Sequence, residues 1–345
     1  MNESYGGHQF VGMDLHRRRS VLVRIDESGE VLGCDRILND RDRLAAVMVQ
    51  AGEHPDVVLE ATYGWYWAAD LLAELGATVH LAHPLGMKQW SFRRVKNDFL
   101  DSRDLADTYR MGRLPEAWIA PPQTRELREL VRHRAKLVHL RTSLRCQVHA
   151  VLAGQGVQIS VSDLFGVKGL KLLEELVLPE AYRYRIDSLC RLITVFDVEV
   201  DAAARLAGER LKHDPGYAAV QTIPGVGPIL GAVFVAEIGD VSRFARPEQL
   251  ASWAGLTPKH YESDTTVRRG HITKQGSRLV RWAAVEAVQR CPEGSRLWRV
   301  RQQVESRRGR NIAIVAAARQ LVESVFYALR DHHVRRPLTR RAVAA

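Results

Sequence analysis

Between residues 10 and 84 the chain alternates short apolar runs and amphipathic stretches in one order, and few folds accept that order. Residues 10–14, FVGMD, form a short apolar strand ending in an acid, followed by the basic turn HRRRS. VLVRID and VLGCDRIL, separated by Ser-Gly, read as a hairpin. Asp40 or Asp42 can cap a helix through AAVMVQAG, and DVVLE is a buried strand ending in Glu60. YGWYWAADLLAELG is a helix stopped by Gly76, and TVHLAHP is another strand. This β-β-β-α-β-α-β succession is the RNase H-like layout, which sets the strand-end acids Asp14 and Glu60 beside each other at one sheet edge. It also suits an actin-like sugar or acetate kinase, whose first strand likewise ends in Gly-x-Asp. No second phosphate-binding half follows downstream.

Residues 88–112, KQWSFRRVKNDFLDSRDLADTYRMG, read as a helix. Asp98 and Asp101 share one face, and Asp104 and Asp107 continue the i, i+3 series. Like charges so stacked destabilise a helix unless a cation lies between them or solvent screens them. A solvated acidic face accounts for any single aspartate. For the set Asp14, Glu60, Asp98 and Asp101, hard oxygen donors converging at strand ends and a helix face suit one or two Mg²⁺ ions. His16, two residues past Asp14, either helps at the site or begins the turn, and the turn is the preferred reading.

The first domain is therefore placed at residues 1–112. Residues 113–213 are helical: one long helix ends at Gly154, and a second runs from about 182 to 213. Between Gln123 and Ala150 there are seven Lys or Arg against two Glu. A hairpin or coiled coil of this kind serves oligomerisation and nucleic-acid backbone contact, or is simply a basic solvated face. Residues 214–335 form the third domain, mainly helical. Its IPGVGP run before an apolar helix is a helix-hairpin-helix signal, in which Gly225 and Gly227 let backbone N–H groups approach a phosphate. Residues 336–345 are basic and are expected to form a disordered tail.

The third domain holds the stretch 253–281, WAGLTPKHYESDTTVRRGHITKQGSRLVR. Ser263 stands in a turn-like context, followed by Arg268, Arg269, Lys274, Arg278 and Arg281, with no acid from Thr265 to Arg281. A hydroxyl followed by dense positive charge suits attack on a phosphodiester. The competing reading is a basic loop and helix start that grips a nucleic-acid backbone, with Ser263 only a turn or cap residue. His260 is near Ser263 in sequence and is a weak candidate for its base.

The net charge of +10 points to an acidic polymer, nucleic acid first. The four cysteines, Cys34, Cys146, Cys190 and Cys291, contain no CxxC pair, which argues for a reducing compartment and against a cysteine zinc site. No run reaches the roughly 18 apolar residues of a membrane span, and the N-terminus lacks a signal pattern. A cytoplasmic, nucleoid-associated protein is expected.

Several stretches taken together resemble the bridge-RNA-guided insertion-sequence transposases related to the Piv DNA invertase. The N-terminal ones are GMDLH, VLEATY and KNDFLDSRDLA; the C-terminal ones are IPGVGPILGAVFVAEIGD, QLASWAGLTPKHYESD and RRGHITKQGSRLVRW. Each is weak alone, but they cover nearly the whole chain in the right order. The resemblance implies a RuvC-like domain with a D-E-D-D set, here Asp14, Glu60, Asp98 and Asp101, and a C-terminal domain with a nucleophilic serine, here Ser263. Three positions depart from the family pattern: Asn97 stands where Thr is usual, Ser102 where Ala is usual, and Asp264 where Gly is usual. The implied activity is DNA recombination through a covalent phosphoserine link, with carboxylate-bound Mg²⁺ activating the serine or stabilising the leaving oxygen. The implied partners are DNA, a structured guide RNA and further copies of the chain in a dimer or tetramer. A RuvC-like nuclease or junction resolvase that uses water is the alternative, and a non-catalytic nucleic-acid-binding protein is a third.

Overall fold

The structure, a computed structural model, describes residues 5–88 and 97–333 and divides into two compact units, Met1–Ile119 and Ala120–Ala345. The expected tail at 336–345, and residues 89–96 of the expected acidic helix, lie outside the described residues.

The first unit runs β1 (Phe10–Leu15), β2 (Arg19–Ile25), β3 (Val31–Leu38), α1 (Arg41–Gln50), β4 (Asp56–Glu60), α2 (Trp65–Glu74), β5 (Thr78–Ala82), α3 (Pro84–Met87), α4 (Asp98–Arg110) and β6 (Glu116–Ala117). The strands form one mixed sheet in the order β3-β2-β1-β4-β5-β6. β1 pairs antiparallel with β2 and parallel with β4, and β5 runs parallel to β4. The α/β layout is consistent with an RNase H-like fold.

Strand periodicity explains the layers. On one face Val11, Met13, Leu15, Val57 and Leu59 pack with Leu44 and Val47 of α1 and Leu71 and Leu72 of α2. On the other, Val21, Val23 and Ile25 meet Ala106 of α4, and Val58 meets Leu105. The centre of β4, Val57-Val58-Leu59, is thus apolar on both sides, as a strand covered by helices on both faces requires. Each such side chain stabilises the unit by about 1.5–3 kcal/mol. The Asp40 carboxylate caps α1, accepting from the N–H groups of Asp42 (2.9 Å) and Arg43 (3.2 Å).

The second unit contains α5 (Pro122–Gly154), α6 (Val167–Glu175), α7 (Glu180–Leu211), α8 (Pro215–Val220), α9 (Pro228–Ile238), a 3-10 turn at Val241–Arg243, α10 (Pro247–Trp253), β7 (Pro258–Ser263), β8 (Thr266–Ile272), α11 (Arg278–Gln289), α12 (Arg296–Arg308) and α13 (Arg310–Asp331). The long helices α5 and α7 pair antiparallel. Val148, Val151 and Leu152 near the end of α5 pack with Ile186, Leu189 and Ile193 near the start of α7. Leu127 and Val131 of α5 pack with Ala207 and Leu211 at the end of α7.

The rest of the unit closes on a core that includes Phe234, Leu250, Ala284 and Phe326. Among the described residues one helix, α13, is long and apolar enough to cross a membrane by length and composition alone, although it is no unbroken apolar run. Half of its most apolar window is buried, and Ala317, Leu321, Val325 and Phe326 sit in the core. Residues 258–272 also differ from the expected turn and loop: they form a two-stranded antiparallel hairpin.

Candidate active site

Asp14 lies near the end of β1, and the parallel register Met13↔Leu59 sets it level with Glu60 on β4. Met13 and Leu59 face α1 and α2, so strand alternation turns Asp14 and Glu60 to the α4 side. α4 approaches β1 at Gly12 so closely that a Cβ there would lie 1.7 Å from the Ser102 carbonyl oxygen. The Ser102 hydroxyl is fully buried and is placed to hydrogen-bond two carbonyl oxygens, Val21 (2.9 Å) and Asp98 (2.8 Å). Asn97 caps α4, its side-chain oxygen accepting from the Phe99 N–H at 3.1 Å. These contacts fix the first turn of α4, where Asp98 and Asp101 also gain from the helix dipole.

The result is a cluster of Asp14, His16 and Asp98, whose donor atoms all lie within 4.8 Å of one another. His16 Nε2 is 3.2 Å from Asp14 Oδ2 and 3.7 Å from Asp98 Oδ2. The donor chemistry fits a divalent cation. With metal–ligand bonds of about 2.1 Å, neighbouring ligands of an octahedral ion stand about 3 Å apart and opposite ones about 4.2 Å apart. Glu60 and Asp101 share the sheet edge and the helix turn but are not members of this cluster. His16 is the residue that sequence reasoning assigned to the turn; the signal available was its spacing of two from Asp14, on the same side of an extended chain.

Ser263 stands in the second unit, as the last residue of β7. It pairs with Thr266 across the turn made by Asp264 and Thr265, and Asp264 adopts the left-handed conformation (φ +50°). Every residue of β7 is exposed. Cross-strand pairing sets Tyr261 opposite Arg268 and His260 opposite Arg269. Alternation places Arg268 and Tyr261 on the Ser263 face of the hairpin and His260 and Glu262 on the other. His260 Nε2 lies 3.3 Å from Glu262 Oε2, so it is engaged away from the serine.

Beyond β8 the chain returns to the core. Lys274 is exposed in a left-handed conformation (φ +57°), its N–H donating to Gly255 O at 3.1 Å. Arg278 is exposed at the start of α11. Arg281 is tied inward, donating to the carbonyls of Ala254 (2.9 Å), Gln275 (2.7 Å) and Gly276 (3.3 Å), and burial followed by the nearby Arg278 charge lowers its pKa.

The start of α11 is anchored by a residue the sequence reading passed over. Glu237, only 4% exposed in the apolar α9, receives Arg132 from α5 at 2.7 and 3.1 Å. It also accepts from the Ser277 hydroxyl at 3.0 Å. Ser277 is the cap of α11, accepting from the Val280 N–H at 3.3 Å. An acid within PILGAVFVAEI was the available signal. Of the two glycines expected at phosphate, Gly225 (φ +89°) presses on α11, where a Cβ would lie 2.1 Å from Ala287 O. Gly227 caps α9 with open space around it.

Comparison with known proteins bears on both units. A family model described as "Transposase IS116/IS110/IS902 family" matches residues 217–304, and an IS110-type DEDD model described as "Transposase" matches residues 11–155. An insertion element IS116 uncharacterized 44.8 kDa protein of Streptomyces clavuligerus is 25% identical, with 95% of this chain and 96% of that protein covered. The transposase for insertion sequence element IS1111A of Coxiella burnetii is 25% identical, with 90% and 86% covered. The transposase for insertion sequence element IS1328 of Yersinia enterocolitica is 23% identical, with 67% and 69% covered. With its N-terminal DEDD transposase domain and the matching C-terminal segment, the chain belongs to the IS116/IS110/IS902 family of transposases, enzymes that act on DNA.

Proposed function

We propose that this transposase recombines the DNA of an insertion sequence through a covalent link to Ser263, with Asp14, Glu60, Asp98 and Asp101 as the carboxylate set for Mg²⁺. The observation that carries the reading is the convergence of Asp14 and Asp98, from a strand end and a helix start, with His16 between them. When bound there, a divalent cation supplies Lewis-acid polarisation of a phosphoryl oxygen. The carboxylates hold and orient it, and His16 adds a nitrogen donor.

Ser263 Oγ forms a bond to phosphorus as a bridging P–O bond of the DNA breaks. The serine hydroxyl loses its proton, and the departing sugar oxygen gains one. Arg268, on the Ser263 face, balances the charge that grows on the phosphoryl oxygens, and Arg269, Lys274, Arg278 and Arg281 form the basic surround. The hairpin supports this reading because it presents an exposed hydroxyl on a short, hydrogen-bonded support. In the dimer or tetramer, the acids of one subunit serve the serine of another.

The helix–turn–helix of α8 and α9 acts as a helix-hairpin-helix, with the Gly227 end of α9 meeting a DNA phosphate. The α5–α7 region serves as a coiled coil for assembly, and its basic residues hold a structured guide RNA by its backbone.

The test is covalent capture. Protein, copurified RNA, Mg²⁺ and labelled DNA spanning the element ends are mixed, denatured and separated on a gel. A protein-linked DNA band that needs Mg²⁺ and vanishes in Ser263→Ala and Asp14→Ala is expected. Cleavage with no linked band, surviving Ser263→Ala but not Asp14→Ala, would replace this reading with a water-using metal nuclease.

A further inference from the structure

At the sheet edge where Glu60 ends β4, the chain exposes aromatic rings. β4 ends at Glu60, and residues 61–64 turn directly into α2. The turn is held by the Ala61 N–H on Ala82 O (3.0 Å) and the Thr62 N–H on Glu60 O (2.7 Å). Gly64, in the left-handed region (φ +80°), starts the helix. Trp65 then packs on the core, and Tyr66 meets its ring edge-on at 4.5 Å. Tyr63 and Trp67 turn outward, 84% and 39% exposed.

An aromatic ring is among the largest apolar groups a fold can bury, and here Tyr63 and Trp67 flank a helix start without being buried, with Tyr66 38% exposed between them. The segment ATYGWYW contains no aliphatic side chain larger than alanine, so its exposed apolar surface is almost wholly aromatic. Its neighbourhood is charged. β1 runs parallel to β4 and ends at the same sheet edge, and the turn after it carries Arg17 and Arg18, both exposed. Rings, arginines and carboxylates at one sheet edge match the three parts of a nucleotide strand: base, phosphate and reacting phosphodiester.

We propose that Tyr63 and Trp67 form a stacking platform for an unpaired base of the DNA strand presented to the acid cluster. The inference rests on the reading of that cluster as a DNA-processing site. Stacking tolerates any base, because every base has a π face. The platform therefore positions the strand without selecting its sequence. It also stabilises an opened duplex at the sheet edge that carries Glu60.

The experiment uses the full chain with EDTA present to prevent cleavage. A short single-stranded DNA carrying the fluorescent base 2-aminopurine is titrated with protein, and duplex binding is followed in parallel by anisotropy. The parent protein should quench the base. Tyr63→Ala and Trp67→Ala should lose quenching and bind the single strand about 5- to 30-fold more weakly. Duplex binding should be unchanged, and Tyr63→Phe should behave as the parent. Tyr63→Leu and Trp67→Leu, which keep bulk but remove the π face, make the same test if alanine lowers the unfolding temperature. Alanine and leucine variants that quench and bind like the parent overturn the platform, as does tighter binding of an RNA strand of the same sequence with the same losses. A parent protein that binds no DNA in either form would instead sink the DNA-processing reading itself.

Discussion

The close approach at Gly12 gives the sharpest test of how the acid cluster is assembled. In Gly12→Ala the new methyl group would meet three backbone atoms of α4: Ser102 O at 1.7 Å, Ser102 C at 2.7 Å and Ala106 N at 3.0 Å. A carbon and a carbonyl oxygen need about 3.3 Å, so α4 must retreat from β1 by roughly 1.5 Å. No side chain can rotate away, because the obstacle is backbone. Overpacking of this kind costs about 1–3 kcal/mol, and each kcal/mol lowers the melting temperature of a domain of roughly 100 residues by about 4–8 °C. The same retreat carries Asp98 away from Asp14 and His16, whose donor atoms now lie within 4.8 Å of one another. An added 1.5 Å exceeds what one cation can span. The assay is thermal unfolding with and without Mn²⁺ at about 100 times its dissociation constant, where binding stabilises the parent by about 2.7 kcal/mol. Gly12→Ala should melt lower in the absence of metal and show almost no metal-dependent rise. Ser102→Ala, which removes one hydroxyl and leaves the approach intact, should lose about 1 kcal/mol and keep the rise. A Gly12→Ala protein with the full metal increment would refute the claim that this contact sets the Asp14–Asp98 distance.

Three further outcomes follow from the same structure. His16→Ala should weaken Mn²⁺ binding by calorimetry more than Mg²⁺ binding, because an imidazole donor favours the transition metal; equal losses would remove His16 from the ligand set. Glu237→Ala leaves Arg132 without its bidentate carboxylate and Ser277 without an acceptor, and should cost about 2 kcal/mol in chemical denaturation, reduced from the fully buried case because Arg132 is half-exposed; an unchanged midpoint would show the anchor to be idle. The pKa of Tyr109 is raised by burial, then by the negative charges of Asp56 and Glu116 and by its bond to Asp56; its contribution is therefore complete below the unfolded value near 10 and lost as pH rises through the folded value, so Tyr109→Phe should show a shallower loss of melting temperature above about pH 10, and a parallel profile would count against it.

What could be seen in the sequence was whatever periodicity and capping encode. The six-stranded sheet was readable up to β5 because Val11, Met13, Val57 and Leu59 recur at the strand period and Asp40 and Gly76 mark helix ends. The start of α11 was readable from Gly276 and Ser277. The β7–β8 hairpin was not, because every residue of β7 is exposed and no apolar alternation marks it. α12 was missed for the same reason: RLWRVRQQVESRR buries only Leu297. Strand ends and helix spacing led to one edge of the sheet for the four acids, and the folded chain brings Asp14 and Asp98 together there with His16 between them. Side-chain convergence depends on the depth at which α4 seats on β1, and no local pattern states that depth.

The three positions at which the chain departs from the pattern that its resemblance implies test whether that pattern is chemical or steric. Asn97 replaces Thr at the start of α4, and its side-chain oxygen makes the cap that a threonine would make. Ser102 replaces Ala at the tightest helix–strand contact, where a residue one atom larger fits because its hydroxyl reaches the carbonyls of Val21 and Asp98. Asp264 replaces Gly in the hairpin turn, where the chain takes φ +50°. Aspartate is among the few non-glycine residues that adopt this conformation readily, through its short polar side chain. In each case the demand is local and geometric: a cap, a close approach, a left-handed turn. The substitutions meet it by different chemistry, so none of the three displaces an acid or the serine. What Asp264 does add is a negative charge one residue from Ser263, where the proposed reaction brings a phosphate. If the serine attacks DNA, that charge opposes the approach of the phosphate and Arg268 offsets it. Asp264→Gly should then keep the fold and speed covalent capture, most clearly at low salt where the charge is least screened.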